Sequence, residues 1–378
     1  MTNRDSFGDL PAGYEAGYVD SLSNRSHSRS NGHDLNVGFN YSDDTWMFNA
    51  SLGVTPQKRT IDRKVGKLYA DTTMRTIDYQ PMIWLSWRKK KMRVSLNYNG
   101  RTRQPSLSDL MPLTDNSDPL YITRGNPDLK QMFSHSVRVS FQHSKKGISA
   151  NIGGQMEQNS VTQVVLYDAK TGGRETSPIN INGNWNVYGS ANWWKRLGHF
   201  SLRLDMNGNH SNRVSMINED RSQQPEKSTT RDTGLNCEMA ASYQPTWGGF
   251  DFSTSWDYQY SLNSLNDNNT YTRYYNFRFD GYVDFPFGLQ LRTDAGYILR
   301  SGTNIQKGED DEIVWNARAT WRFLKQRKAE LSAYWADILG KRKSYARMAT
   351  SDGFYESRTQ EIKGYFIVTF KYNFRLMM

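Results

Sequence analysis

Over long stretches of this chain, apolar and polar residues alternate one for one. In Met92–Asn99, Met92, Val94, Leu96 and Tyr98 fall on one side and Arg93, Ser95, Asn97 and Asn99 on the other. In His199–Asn207, Phe200, Leu202, Leu204 and Met206 oppose Ser201, Arg203, Asp205 and Asn207. Tyr275, Phe277 and Phe279 oppose Asn276, Arg278 and Asp280. Leu289, Leu291, Ala295, Tyr297 and Leu299 oppose Gln290, Arg292, Asp294 and Gly296. The last such segment, Glu361–Arg375, sets Phe366, Val368, Phe370, Tyr372 and Phe374 against Ile367, Thr369, Lys371, Asn373 and Arg375. A period of two predicts strands with one apolar and one polar face.

The segments come in pairs. Short turns centre on 42–44, 89–91, 144–147, 195–198, 246–249, 285–288 and 323–327. Longer polar loops fall at roughly 56–74, 104–132, 168–179, 218–230, 263–270, 301–310 and 341–360. Short and long connections alternate throughout, as periplasmic turns and extracellular loops do in transmembrane barrels. Soluble strands usually run about 5–6 residues, whereas 148–167 and 200–217 are far longer. They exceed even the roughly 9–11 residues that cross a bilayer. A propeller blade fits four strands into about 40–45 residues; here a similar span holds two. The expected fold is all-β, a transmembrane antiparallel up-and-down β-barrel with short periplasmic turns and long extracellular loops.

Composition sharpens this picture. The chain is only 37% hydrophobic with a mean hydropathy of −0.78. No stretch approaches the roughly 20 apolar residues of a membrane helix, which excludes a helical membrane protein. Yet aromatics make up 13%, including 11 Trp and 22 Tyr. They recur beside the short turns: Trp84 and Trp87, Trp193 and Trp194, Trp247, Phe285 and Trp321. These are read as a girdle at the periplasmic membrane boundary, in contact with outer-membrane lipid. The net charge of +10 is scattered along the chain and accompanies no nucleic-acid motif, so no nucleic-acid partner is expected. Arg93, Arg138, Arg203, Asp205, Arg278, Asp280, Arg292, Asp294 and Arg318 sit on polar stripes and are expected to line an enclosed, hydrated interior.

Candidate chemistry is sparse. The lone Cys237 allows no intrachain disulfide. The histidines at 27, 33, 135, 143, 199 and 210 have no metal-ligand spacing. Glu309-Asp310-Asp311-Glu312 reads as a solvated acidic loop rather than a Ca²⁺ site. No Ser-His-Asp or Cys-His arrangement is recognisable. No catalytic residue, metal or cofactor is expected, and the chain is not expected to be an enzyme.

Three segments carry a family resemblance. Arg101 and Arg103 lead through Pro105, Leu110, Pro112, Asp115 and Asn116 to Gly125, Asn126, Pro127 and Leu129, giving an R-x-P-S-x-x-x-L core and a downstream G-N-P-x-L. This resembles the strand-to-loop segment of TonB-dependent receptors, in particular their outer-membrane β-barrel family. Ala333–Gly340 is similar to that family's penultimate strand, and Phe370, Tyr372 and Phe374 to its C-terminal strand. The resemblance spans nearly the whole chain. It implies energised import of a scarce nutrient (an iron chelate, a cofactor or an oligosaccharide) across the outer membrane of a Gram-negative cell. It also implies a plug domain, a TonB energising complex and the barrel-assembly machinery as partners. Such receptors have about 22 strands, against about 15 countable here. No apolar leader follows Met1. The expectation is therefore an incomplete barrel: residues 33–378 form its C-terminal portion, residues 1–32 a polar extracellular loop remnant, and the remaining strands, plug and signal peptide lie upstream. Rival functions are a passive porin or secretion pore, a structural or enzymatic surface barrel, and a soluble β-protein.

Overall fold

The computed structural model describes residues 2–4, 7–8, 17–18, 24–65, 68–111, 114–115, 118, 120–167, 172–217, 225–265, 269–303, 305, 311–350 and 353–374. Apart from two small hairpins, Phe7–Gly8 with Gly17–Tyr18 and Ser344–Thr350 with Gly353–Thr359, they form one large sheet in which fifteen strands follow one another as antiparallel neighbours. The first, β1, runs through Asn24–Gly32 and Leu35–Ser42. It is followed by β2 (Trp46–Val65), β3 (Leu68–Lys89), β4 (Met92–Arg103) and β5 (Met132–His143). Two interrupted strands come next, β6 (Ile148–Gln158 with Ser160–Tyr167) and β7 (Arg174–Ile181 with Trp185–Leu197). Then come β8 (Phe200–Ile217), β9 (Glu226–Tyr243), β10 (Gly248–Asn263) and β11 (Asn269–Asp284). The sheet ends with β12 (Leu289–Gly302), β13 (Glu312–Phe323), β14 (Ala329–Ala336) and β15 (Tyr365–Tyr372). Among the described residues β1 and β15 do not pair with each other, so the sheet is open. Among the described residues no helix is long and apolar enough to cross a membrane.

The period-two pattern explains the faces. Ile152 on β6 is 59% exposed and Met239 on β9 is 57% exposed, each among apolar neighbours. Side chains this large and apolar would not face water on so many strands; together they form the lipid-contacting surface of an outer-membrane barrel. The opposite face carries the polar stripe. All seven short turns form where the alternation breaks. At the first, the Asp43 carboxylate accepts the Thr45 and Trp46 backbone N–H groups at 2.7 and 2.6 Å and the Tyr41 hydroxyl at 2.7 Å. The Trp46 N–H, then the Tyr41 hydroxyl, hold its carboxyl below the usual range.

Some long loops prove shorter than expected. Residues 56–74 are not a loop: β2 and β3 stay paired up to Val65 and Leu68. Residues 341–360 contain a hairpin of their own, Ser344–Thr350 against Gly353–Thr359. Within the N-terminal stretch, Asn24–Gly32 extends the upper sheet by pairing with Gln57–Val65.

The middle of the sheet departs from a simple meander. In its lower half the order is β5–β6–β7–β8, with Ile148–Met156 on Trp193–Trp185. In the upper half, Val164 and Val165 of β6 lie parallel to Met216 and Ile217 of β8, and Arg174–Thr176 of β7 lie parallel to Tyr121–Thr123 on the β5 side. The two strands have exchanged sides, so the β6–β7 hairpin is wound through half a turn. The exchange happens where both strands are interrupted. Asn159 there has φ +53° and Gly183 φ +117°, left-handed conformations that favour asparagine and glycine.

Candidate functional site

The end of the sheet opposite the short turns carries the most elaborate structure, and the residues of the R-x-P-S and G-N-P segments lie at its centre. After Arg103 the chain leaves β4 and bends over the polar face of β2 and β3. Gln104 donates to Asp78 and, at 3.0 Å, to Gln131. Arg59 donates to the Pro105 carbonyl at 3.3 Å. Ser106 then caps a single helical turn, Leu107–Leu110, by accepting the Asp109 N–H at 3.1 Å. The turn drives Leu110, 1% exposed, and Met111 into a small core with Leu129 and Met132.

The G-N-P segment closes this core. A side chain at Gly125 would come within 1.8 Å of the Met111 carbonyl oxygen, so only glycine allows the two backbones this close. Asn126 donates to the Pro178 carbonyl at 3.0 Å, tying the loop to β7. Pro105 is buried, whereas Pro127, Arg101 and Arg103 are exposed. Pro112 and Asn116 lie outside the described residues, as does the Asp115 side chain; the Asp115 backbone pairs with Thr123. The segment thus makes a rigid, inward-folded connection.

Asparagines missed from the sequence secure the crossed hairpin beside it. Asn180 accepts the Lys130 N–H at 2.7 Å and donates to the Lys130 and Asn159 carbonyls at 2.9 and 2.8 Å. Asn182 accepts from Asn159 N at 2.7 Å, Asn184 from Val214 N at 2.7 Å, and Asn212 donates to the Gly183 carbonyl at 2.8 Å. An asparagine side chain imitates a peptide group, so these residues replace the ladder bonds that the crossing breaks. The run Asn180-Ile181-Asn182-Gly183-Asn184, turn-forming residues in mid-strand, was the available signal.

Below the mouth, the polar face is knitted from strand to strand. Arg138 donates to the Tyr188 hydroxyl at 3.1 and 3.0 Å. Arg203 bridges Asp205 and Glu238 at 2.7 and 2.6 Å, Arg292 pairs with Asp280 at 2.9 Å, and Asn316 donates to Asp294 at 2.6 Å. Arg318 lies over the Tyr334 ring at 4.7 Å. Register places Arg93 beside Gln142 and Arg278 beside Ser253 on this same face. Among the described residues no group of His, Cys, Asp and Glu is placed to hold a metal ion.

On the other face, Trp87 sits 6.5 Å from Trp46, Trp247 5.7 Å from Phe250, and Trp321 4.7 Å from Phe323. Phe285 in its turn lies 5.5 Å from Phe287. Trp193 faces the same side, between Ile148 and Leu204. Two girdle positions need correction. Trp84 stands between Asn49 and Asn97, and Trp194 beside Arg203, both on the polar face. Residues an odd number apart on a strand point to opposite sides. At the sheet's end Phe370 pairs across from Leu331, and Tyr372 and Phe374 stack edge to face at 4.5 Å.

With this geometry in place, comparison with known proteins fits the wall and the mouth together: residues 77–259 match the outer membrane protein beta-barrel family. The chain is an outer-membrane β-barrel protein. The matched span of this barrel protein runs from β3 to β10 and includes both the inward-folded loop and the crossed hairpin. Its residence is the outer membrane, where lipid surrounds the apolar face. No curated protein matches the sequence. Among solved structures, it is distantly similar to in-vitro folded OmpT, an outer membrane protein of Vibrio cholerae, at 8% identity and a TM-score of 0.30 over 94% of this chain and 98% of that one. So distant a likeness says nothing about function.

Proposed function

We propose that this chain is the barrel portion of a TonB-dependent receptor that imports a scarce nutrient across the outer membrane. The supporting observation is the loop from Gln104 to Gln131, which bends over the polar face and is fixed there by Asp78, Arg59 and its own apolar core. A rigid inward loop serves a mouth that holds a ligand over a closed lumen. The charged, hydrogen-bonded interior supplies the wet surface against which a plug domain would sit. The unpaired edges of β1 and β15 need strand partners within a bilayer, because lipid offers none to backbone polar groups. On this reading the plug and the TonB complex act through regions outside this sequence, the ligand sites lie on the extracellular loops, and the chain carries no catalytic site.

The test is uptake by cells with and without the intact gene, over a panel of iron chelates, cofactors and oligosaccharides. Saturable uptake of one of them, abolished by an uncoupler or by loss of TonB, is the expected result. Non-saturable permeation that survives the uncoupler would establish a passive pore instead.

A further inference from the structure

The short-turn rim is unevenly charged. Three consecutive turns, those joining β3 to β4, β5 to β6 and β7 to β8, carry Arg88, Lys89, Lys90, Lys91, Lys145, Lys146, Lys195 and Arg196. All eight side chains are exposed. Among the described residues none forms an ion pair; Arg196 donates only to the Gly198 carbonyl. The nearest carboxylates on the rim, Asp43 and Asp44, lie on the preceding turn. The two following turns, 244–247 and 285–288, contain no cation at all. The basic residues of these three turns therefore form one arc, apart from Lys325 and Arg327 on the seventh turn.

The arc is held together by backbone bonds. Ser144 N donates to the Lys91 carbonyl at 3.0 Å and Trp194 N to the Gly147 carbonyl at 2.9 Å. Two strands separate successive turns, or about 10 Å. Between the second and third lies a cavity of about 530 Å³, lined by Lys145, Lys146, Lys195 and Arg196 together with the apolar Ile148, Trp193 and Trp194. Trp193 belongs to the aromatic belt, so the cavity sits at the membrane surface with cations toward water and an apolar floor toward lipid.

We propose that this arc binds the headgroups of anionic phospholipids in the periplasmic leaflet. A phosphodiester needs cations that are not already neutralised, and its glycerol and first methylenes need an apolar surface immediately below; the cavity offers both. Clusters of four to eight basic residues next to a membrane attract anionic lipid, each contributing to the same field. Cations left unpaired on adjacent turns otherwise repel one another, and an anionic headgroup removes that repulsion.

The experiment uses the full-length protein in nanodiscs of mixed phosphatidylglycerol and phosphatidylcholine, with native mass spectrometry counting the lipids retained. Phosphatidylglycerol should be retained over phosphatidylcholine by roughly tenfold. The preference should disappear in K145Q/K146Q/K195Q/R196Q, while heat-modifiable migration on gels shows the barrel still folded. Equal retention of the two lipids, or a preference that survives the substitutions, overturns the proposal. Should the variant not fold, the wild type decides alone: the preference must collapse in 1 M salt, where screening shortens to about 3 Å. Binding of soluble anionic peptidoglycan fragments through the same cations, without lipid preference, would assign the arc to the cell wall and refute lipid binding.

Discussion

Leu110→Ala isolates the inward loop from the wall that carries it. Leu110 is 1% exposed and is the most deeply buried side chain of its small core. Truncation removes three carbons, at about 0.8 kcal/mol each, and leaves a cavity whose lining relaxes only in part. Core truncations of this kind cost about 2–5 kcal/mol. Taking about 3 kcal/mol and about 1.4 kcal/mol per tenfold, opening of the loop should become about a hundredfold more frequent. Hydrogen exchange followed by mass spectrometry reads this directly. Peptides covering 105–131 should lose protection, while peptides from β8 keep theirs, because the hydrogen bonds of β8 are made with β7, β9 and, at its upper end, β6 rather than with the loop. Two results would refute the reasoning. Unchanged exchange over 105–131 would mean that Leu110 supports nothing, and equal loss in β8 would mean that the loop is not a separable unit.

Two further predictions test the wall. Ile152→Arg places a cation on the lipid face and should destabilise the barrel by about 2–4 kcal/mol if the position lies near the bilayer midplane; Asn151→Arg, one residue away on the polar face, should cost much less, and folding titrations in lipid vesicles that find the two alike would contradict the assignment of faces. Asp337, 1% exposed at φ +45°, accepts the Lys341 and Arg342 N–H groups at 3.1 Å each, so Asp337→Ala should cost about 1–3 kcal/mol, with D337N milder because asparagine keeps an acceptor and tolerates that backbone; a urea midpoint unmoved by D337A would deny Asp337 this role.

The sequence made the wall legible wherever one face meets lipid. Phe200, Leu202, Leu204 and Met206 announce β8 because hydrocarbon demands an unbroken apolar stripe. That signal vanishes above the membrane. Lys58, Arg59, Asp62 and Lys64 continue β2 above the membrane without an apolar stripe, so nothing in the pattern distinguishes them from a loop. Trp84 and Trp194 lie close to turns, as girdle residues do, but their parity along the strand puts them on the polar face. The mouth was half visible. Its Pro, Gly and Asn residues marked a stiff connection, but that Gly125 meets the Met111 backbone depends on contacts between residues 14 positions apart. The crossing of β6 and β7 was invisible, since a local pattern records which way a residue faces and not which strand lies beside it.

That crossing has a mechanical consequence. A straight hairpin at a barrel's mouth can be peeled from its tip, one rung at a time, and the neighbouring staves then spread. Here the tip is gripped on one flank by Tyr121–Thr123 and on the other by Met216 and Ile217. It would have to rotate as well as lift in order to come free. The half-wound pair therefore works as a buckle across the opening, and load applied by anything seated there is shared by two stretches of rim that would otherwise be strangers.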